Sequence, residues 1–198
     1  MQTSSSEAAR DAPTISYAYK ASLVGAAHRF ELTDAGLTWH LAGRSGVWAY
    51  ADIAAIRLSF RPVSMQAHRF RAEIRHVDGG RITMLSTSWQ TAALMAPQDD
   101  SYRVFITALH ARMRAAGSRA ALTGGLSRRV YIAALALVAL LAVAMGGLLV
   151  RAIAVLQFAG AAFILGFAAL FGWQIGGFIR RNRPLAYTFE SIPDRLLP

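Results

Sequence analysis

From Val130 to Ile179 the chain runs 50 residues with a single charge, Arg151. No other stretch limits the fold so tightly. As one helix, rising about 1.5 Å per residue, the run would reach roughly 75 Å. The hydrocarbon core of a bilayer is about 30 Å thick and takes about 20 residues to cross. One straight span is therefore impossible, and two spans joined by a short connection fit, at about 130–150 and 155–179. Arg151 lies near the midpoint, where the connection must fall. Held at mid-bilayer, an arginine costs at least about 2.5–3.5 kcal/mol on insertion scales. At a turn it reaches the headgroups and avoids most of that cost. Gly146, Gly147 and Gln157 bracket the same region. The turn reading is preferred to an intramembrane functional charge.

Flanking charge sets the expected orientation. Arg128 and Arg129 precede the first span, and Arg180, Arg181 and Arg183 follow the second. Arginine gathers on the cytoplasmic side of inserted segments, so both termini are expected in the cytoplasm, with Arg151 on the far face. Tyr131 and Trp173 lie near the cytoplasmic span ends, as interfacial aromatics do. The second span also carries Ala168, Gly172 and Gly176 at four-residue spacing, and the first repeats it with Ala142 and Gly146. Small residues on one face let another backbone approach closely. They predict either packing of the two spans on each other or the seam of a homo-oligomer. Gln174 reads as an interhelical hydrogen-bonding group.

Composition agrees with this division. Hydrophobic residues make up 55% and charged residues 16% of the 198, where soluble domains carry about a quarter charged. The surplus apolarity follows Ser127. Net charge is +10, almost wholly from arginine, with Lys20 the one lysine. Such a balance suits anionic lipid, an acidic partner or nucleic acid. No cysteine is present, which excludes disulfides, thiolate metal sites and thiol catalysis. Residues 1–14 are polar, with no apolar stretch behind a basic start, and read as a disordered tail rather than a signal peptide.

Residues 15–87 alternate as half-buried strands do. "RFEL" sets Phe30 and Leu32 against Arg29 and Glu31. "LTWHLA" turns Leu37, Trp39 and Leu41 inward. "AIRLSF" buries Ile56, Leu58 and Phe60 while Arg57 and Ser59 face out. "RFRAEIRHV" sets Phe70, Ala72 and Ile74 against Arg69, Arg71, Glu73 and Arg75. The turn signals "TDAG", "GRSG" and "DGG" imply six or seven short antiparallel strands in a small barrel or sandwich. One helix follows in "QDDSYRVFITALHARMRAAG", with caps at Asp99, Asp100 and Ser101 and a stop at Gly117. Its apolar face is Tyr102, Phe105, Ile106, Leu109 and Met113. Residues 118–127 read as a linker to the membrane.

Strands followed by one amphipathic helix, with the stretches "WAYADIAAIRLSF" and "YRVFITALHARMRAAG", resemble bacterial pleckstrin-homology-like (PH-like) proteins that carry adjacent membrane helices. The ending "NRPLAYTFESIPDRLLP" is similar to that of proteobacterial membrane proteins of this layout. The resemblance covers about Ile15 to Pro198 and rests on pattern. It implies an α+β membrane protein: an N-terminal tail (1–14), a cytoplasmic PH-like barrel or sandwich capped by one helix (15–117), a linker (118–127), a transmembrane hairpin (128–181) and a cytoplasmic tail (182–198). It also implies a bacterial inner-membrane location and a binding or scaffolding role. The hairpin "ELTDAGL" is acidic where phosphoinositide-binding relatives are basic, so inositol-phosphate recognition by that route is not implied.

Among candidate sites, an arginine stripe stands first. Arg57 and Arg61 on one strand would neighbour Arg69, Arg71 and Arg75 on the next, all on one face. Like charges side by side cost stability unless offset, and Glu73 is read as offsetting one of them. The stripe predicts a surface for anionic lipid or an acidic partner, at about 1 kcal/mol per arginine near a charged leaflet; the plainer reading is a solvated strand face. Nucleic acid is disfavoured, because no recognition helix or RNP-type aromatic motif occurs. His28, His40, His68, His76 and His110 never fall at metal-ligand spacing, and Asp99 with Asp100 reads as a helix start. No nucleophile elbow, Walker or dinucleotide loop is present. We expect no enzyme, no cofactor and no metal. The expected function is a membrane-anchored binding or assembly module; the alternative is an oligomeric lipid- or small-solute-handling protein. The proline-rich tail cannot form a long helix, yet Tyr187, Phe189, Ile192, Leu196 and Leu197 need burial, on the chain's own domain, on the membrane surface or on a partner.

Overall fold

The computed structural model describes residues 15–61, 69–91 and 94–198; the expected N-terminal tail and His68 lie outside them. The chain divides into two compact units. One joins Met1–Leu122 to Thr188–Pro198, and the other is Thr123–Tyr187.

In the first unit, β1 (Ile15–Tyr19), β2 (His28–Thr33), β3 (Gly36–Leu41) and β4 (Arg44–Trp48) pair as an antiparallel meander. A second meander follows in β5 (Ile53–Phe60), β6 (Phe70–His76) and β7 (Arg81–Leu85), and β8 (Thr87–Thr91) pairs with β9 (Leu94–Pro97). Seven strands, β1–β7, fall within the stretch 15–87 expected to hold six or seven, and β8 and β9 add a further pair from Thr87 on before the helix. The alternation is realised: Phe30, Leu32, Leu37, Trp39, Ile56, Leu58, Phe60, Phe70, Ala72 and Ile74 are all buried. Ser59 differs. It keeps the outward direction that alternation imposes, yet it is buried. Its register partner is Arg71, and Arg57 and Arg61 flank it along the strand.

No sheet closes into a barrel among the described residues. β1 and β7 are edge strands of the two sheets, and an edge leaves carbonyls without ladder partners. Tyr17 Oη donates to the Leu85 carbonyl at 2.5 Å, and Tyr19 Oη donates to that of Thr83 at 2.7 Å. Side-chain hydroxyls therefore satisfy edge carbonyls that a closed ladder would have used. Burial raises both phenol pKa values, keeping them neutral donors.

Helix α1 spans Asp99–Ala115. Its N-cap is Gln98, without a side-chain cap bond, so Asp99 and Asp100 occupy the first turn instead of capping it. There their charge suits the positive end of the helix dipole. The stop is as expected. Gly117 has φ +67°, its N–H donates to the Arg114 carbonyl, and the Ser118 N–H donates to that of Met113, the paired bonds of a Schellman motif. The five expected apolar positions are fully buried, and His110 joins them.

The tail completes this unit. After the hairpin, Asp194–Leu196 forms a 3-10 turn whose residues contact β5. Leu196 and Leu197 are buried, Leu196 completely. Arg103 of α1 donates from Nε to the Pro198 main-chain oxygen at 2.6 Å, donates to it again from Nη2, and lies 3.9 Å from Asp194. The Phe189 ring meets that of His110 edge-on at 6.1 Å. The tail therefore docks on its own domain, against α1 and β5.

The second unit is the hairpin. α2 spans Arg128–Ala154 and α3 spans Phe158–Arg181, with mean hydropathy 2.6 and 1.8 in their most apolar windows. Both are long and apolar enough to cross a membrane. They break at Val155–Gln157, where Leu156 adopts φ 56°. Arg151 ends up in the last turn of α2, where a cation suits the carbonyl end of the helix. At the open end, β10 (Ala121–Gly124) pairs with β11 (Leu185–Ala186), so strand occupies part of the stretch read as a linker. Gly125, at φ +79°, lies so close to the chain leaving α3 that an added Cβ would sit 2.5 Å from the Asn182 oxygen. The Leu126 N–H donates to that oxygen at 3.0 Å, and the Asn182 side chain, buried, donates to the Phe178 carbonyl at 3.2 Å.

Candidate functional site: an arginine-rich sheet face

The pairing of β5 with β6 decides which arginines meet. In the observed register Ala55 faces Arg75, Arg57 faces Glu73 and Ser59 faces Arg71. The Arg61 N–H donates to the Arg69 carbonyl at 2.7 Å, extending the ladder one step. Since Ile56, Leu58 and Phe60 turn inward opposite Ile74, Ala72 and Phe70, all five expected arginines fall on the other face. β7 adds a sixth, Arg81, which faces Arg75 in register. The sequence held this signal: in "RITML" Arg81 alternates with the buried Ile82 and Met84.

Glu73 sits in the middle of this face and does more than offset one arginine. Its carboxylate is 3.1 Å from Arg71 Nη2, 3.6 Å from Arg81 Nη1 and 4.0 Å from Arg75 Nε. Its side chain is only 15% exposed; of its partners, Arg71 is 29% exposed, Arg75 47% and Arg81 63%, so the Arg71 contact is the best shielded of the three. Arg71 Nη2 also donates to Thr83 Oγ1 at 3.4 Å. Three guanidinium groups thus converge on one carboxylate at the β6–β7 side.

The other end of the face is not balanced. Arg61 and Arg69 flank the hairpin between β5 and β6, and that connection, "PVSMQAH", contains no carboxylate. Arg69 Nε and Arg71 Nε are buried and without a hydrogen-bond partner among the described residues. Burial first, then the charges on Arg61 and Arg71, push the Arg69 guanidinium below its ordinary pKa. That is the direction like charges produce when crowded together.

The histidines are dispersed. His28 shares a 3.2 Å hydrogen bond with Tyr19 Oη, His76 stacks on Trp48, and His110 Nδ1 donates to the Ile106 carbonyl at 2.7 Å. Among the described residues no group of three or more potential ligands converges.

The small-residue stripe lines a groove within the hairpin. Ala168, Gly172 and Gly176 line, with Ala142 and Gly146 of α2, a groove of about 480 Å³ between the two helices. A Cβ added at Gly146, Gly172 or Gly176 would meet no atom within 4 Å. The backbones are therefore not in close contact there, and the stripe faces open apolar space. Ala152 and Ala161, near the turn, are buried instead.

No family model matches the chain, and no curated protein or solved structure is significantly similar to it.

Proposed function

We propose that this chain is a membrane-anchored, non-enzymatic binding module whose soluble domain presents the β5–β6–β7 face to an anionic partner. The observation that carries this reading is the charge of that face: six arginines and one glutamate, held by strand register rather than by chance exposure. A face so charged repels itself unless an anion joins it. Near an anionic leaflet each arginine contributes about 1 kcal/mol to attraction. In this reading the domain is PH-like, since antiparallel strands are followed by one amphipathic helix, the order on which the resemblance rests. The partner is an anionic lipid headgroup or an acidic protein segment.

In this reading the membrane is a bacterial inner membrane and the domain is cytoplasmic. The tail and the strand domain belong to one compact unit, yet both apolar helices lie between them in sequence. If each helix crosses once, domain and tail share one side, and the five flanking arginines make that side cytoplasmic. The cysteine-free chain allows a direct check: Val155→Cys should react with a membrane-impermeant thiol reagent added outside spheroplasts, and a cysteine placed after Pro198 should not.

The binding test is purification from native membranes in mild detergent, comparing the natural chain with Arg69→Gln/Arg71→Gln/Arg75→Gln for retained lipids and proteins. Loss of the anionic species from the variant is expected; an unchanged set of lipids and proteins refutes the reading. A second reading, an oligomeric lipid- or solute-handling protein, is favoured by the open groove lined by Gly146, Gly172 and Gly176. A strictly monomeric extracted protein would remove its basis.

A further inference from the structure

We infer that the corner formed by Arg61, Arg69 and Arg71 is a discrete oxyanion site that takes a phosphate group. This rests on the binding-module reading and narrows it from a face to three residues. Glu73 draws Arg71, Arg75 and Arg81 toward the β6–β7 side. The same pairing leaves Arg61 and Arg69 without a described carboxylate, and Arg71, although its Nη2 lies 3.1 Å from Glu73, keeps an unpaired Nε.

Three observations make this corner more than a solvated patch. The backbone bond from Arg61 to Arg69 fixes the two residues opposite each other at the end of the ladder. Arg69 and Arg71, two apart on β6, point the same way at roughly 6.6 Å separation along the strand, close enough for two guanidinium groups to reach different oxygens of one phosphate. Arg69 Nε and Arg71 Nε are removed from water with no protein acceptor among the described residues, and such a donor costs free energy until an acceptor arrives. Burial first, and then the charges of Arg61 and Arg71, hold the Arg69 guanidinium below its ordinary pKa. A tetrahedral oxyanion supplies both the acceptors and the missing charge, and guanidinium forks fit it through paired hydrogen bonds. Arg57 stands opposite Glu73 in register and is not required.

The phosphate could come from a lipid headgroup or from a free phosphate compound, and the test separates them. The full chain is placed in nanodiscs of phosphatidylcholine alone, the same with added pyrophosphate, and phosphatidylcholine mixed with phosphatidic acid. Amide exchange of Arg69–Arg71 and pyrophosphate affinity by calorimetry are read in each. Protection with pyrophosphate assigns a soluble ligand; protection in phosphatidic acid discs without it assigns the headgroup. Arg61→Gln, Arg69→Gln and Arg71→Gln should each weaken binding about tenfold, while Arg75→Gln and Arg81→Gln change it less than about twofold. Arg61 is exposed, so its variant reports on binding even if the other two perturb folding. Protection by neither anion, or equal loss with Arg75→Gln, overturns the discrete site. In that case the broader reading still stands if the Arg69/Arg71/Arg75 triple variant loses anionic species on purification, and falls with it if it does not.

Discussion

Leu196→Ala tests whether the returning tail is part of the soluble core. The side chain is fully buried, in a 3-10 turn that contacts β5, on a segment that Arg103 of α1 holds through the Pro198 oxygen and Asp194. Removing three carbons forfeits about 2.4 kcal/mol at about 0.8 kcal/mol per buried methylene. The space left cannot collapse freely between a strand and a helix, and the residual cavity adds about 1 kcal/mol. A total near 3–4 kcal/mol should lower the midpoint of thermal unfolding by roughly 12 °C or more. The assay is near-UV circular dichroism of the full chain in detergent, with amide exchange of β5 and α1 as a local readout. Val104→Ala, on the exposed side of α1, should change stability by less than about 0.5 kcal/mol. If Leu196→Ala lies as close to the natural chain as that control, the tail is not a core element and the argument that domain and tail share one side of the membrane is withdrawn.

Glu73→Gln should destabilise the domain by about 1–3 kcal/mol, because three arginines lose a shielded counter-charge; the deficit should shrink as sodium chloride is raised, and denaturant titrations at two salt concentrations check it. Burial depresses the pKa of His110 and His28 in the fold, so below the unfolded value of about 6.5 the unfolded chain binds more protons. Stability should therefore fall as pH drops below that value and be regained as it rises; His110→Leu should flatten the urea midpoint measured between mildly acidic and neutral pH. Gly125→Ala must hold an alanine at φ +79° with its Cβ 2.5 Å from the Asn182 oxygen. It should cost about 1–3 kcal/mol in backbone strain alone and raise amide exchange at β10 and β11, leaving exchange in β2 and β3 unchanged.

Local pattern made much of this architecture legible. The 50-residue apolar run is too long for one crossing whatever surrounds it, and a break near its middle follows from length. Alternation sorted Ile56, Leu58 and Phe60 from Arg57, because successive strand side chains point to opposite faces however the strands later pair. Helical periodicity found the buried face of α1 for the same reason. These are properties of neighbours in sequence, and a single chain states them.

Pairing is different, because it joins residues whose distance in sequence says nothing of their distance in space. That Glu73 would collect Arg71, Arg75 and Arg81 depended on the register of β6 with β7. That Tyr17 and Tyr19 would satisfy carbonyls of β7 depended on two sheet edges meeting. Ser59 was expected to face out and is buried, which alternation alone does not decide. The small residues of the hairpin were expected to meet either the other span or a second copy of the chain, and within this chain a Cβ added at Gly172 or Gly176 meets no atom within 4 Å. The tail's need for burial was plain from Leu196 and Leu197. Only the tertiary structure decided that the domain it left two helices earlier would supply the place, because burial of a leucine is a demand the sequence states and the complementary surface is one that folding alone creates.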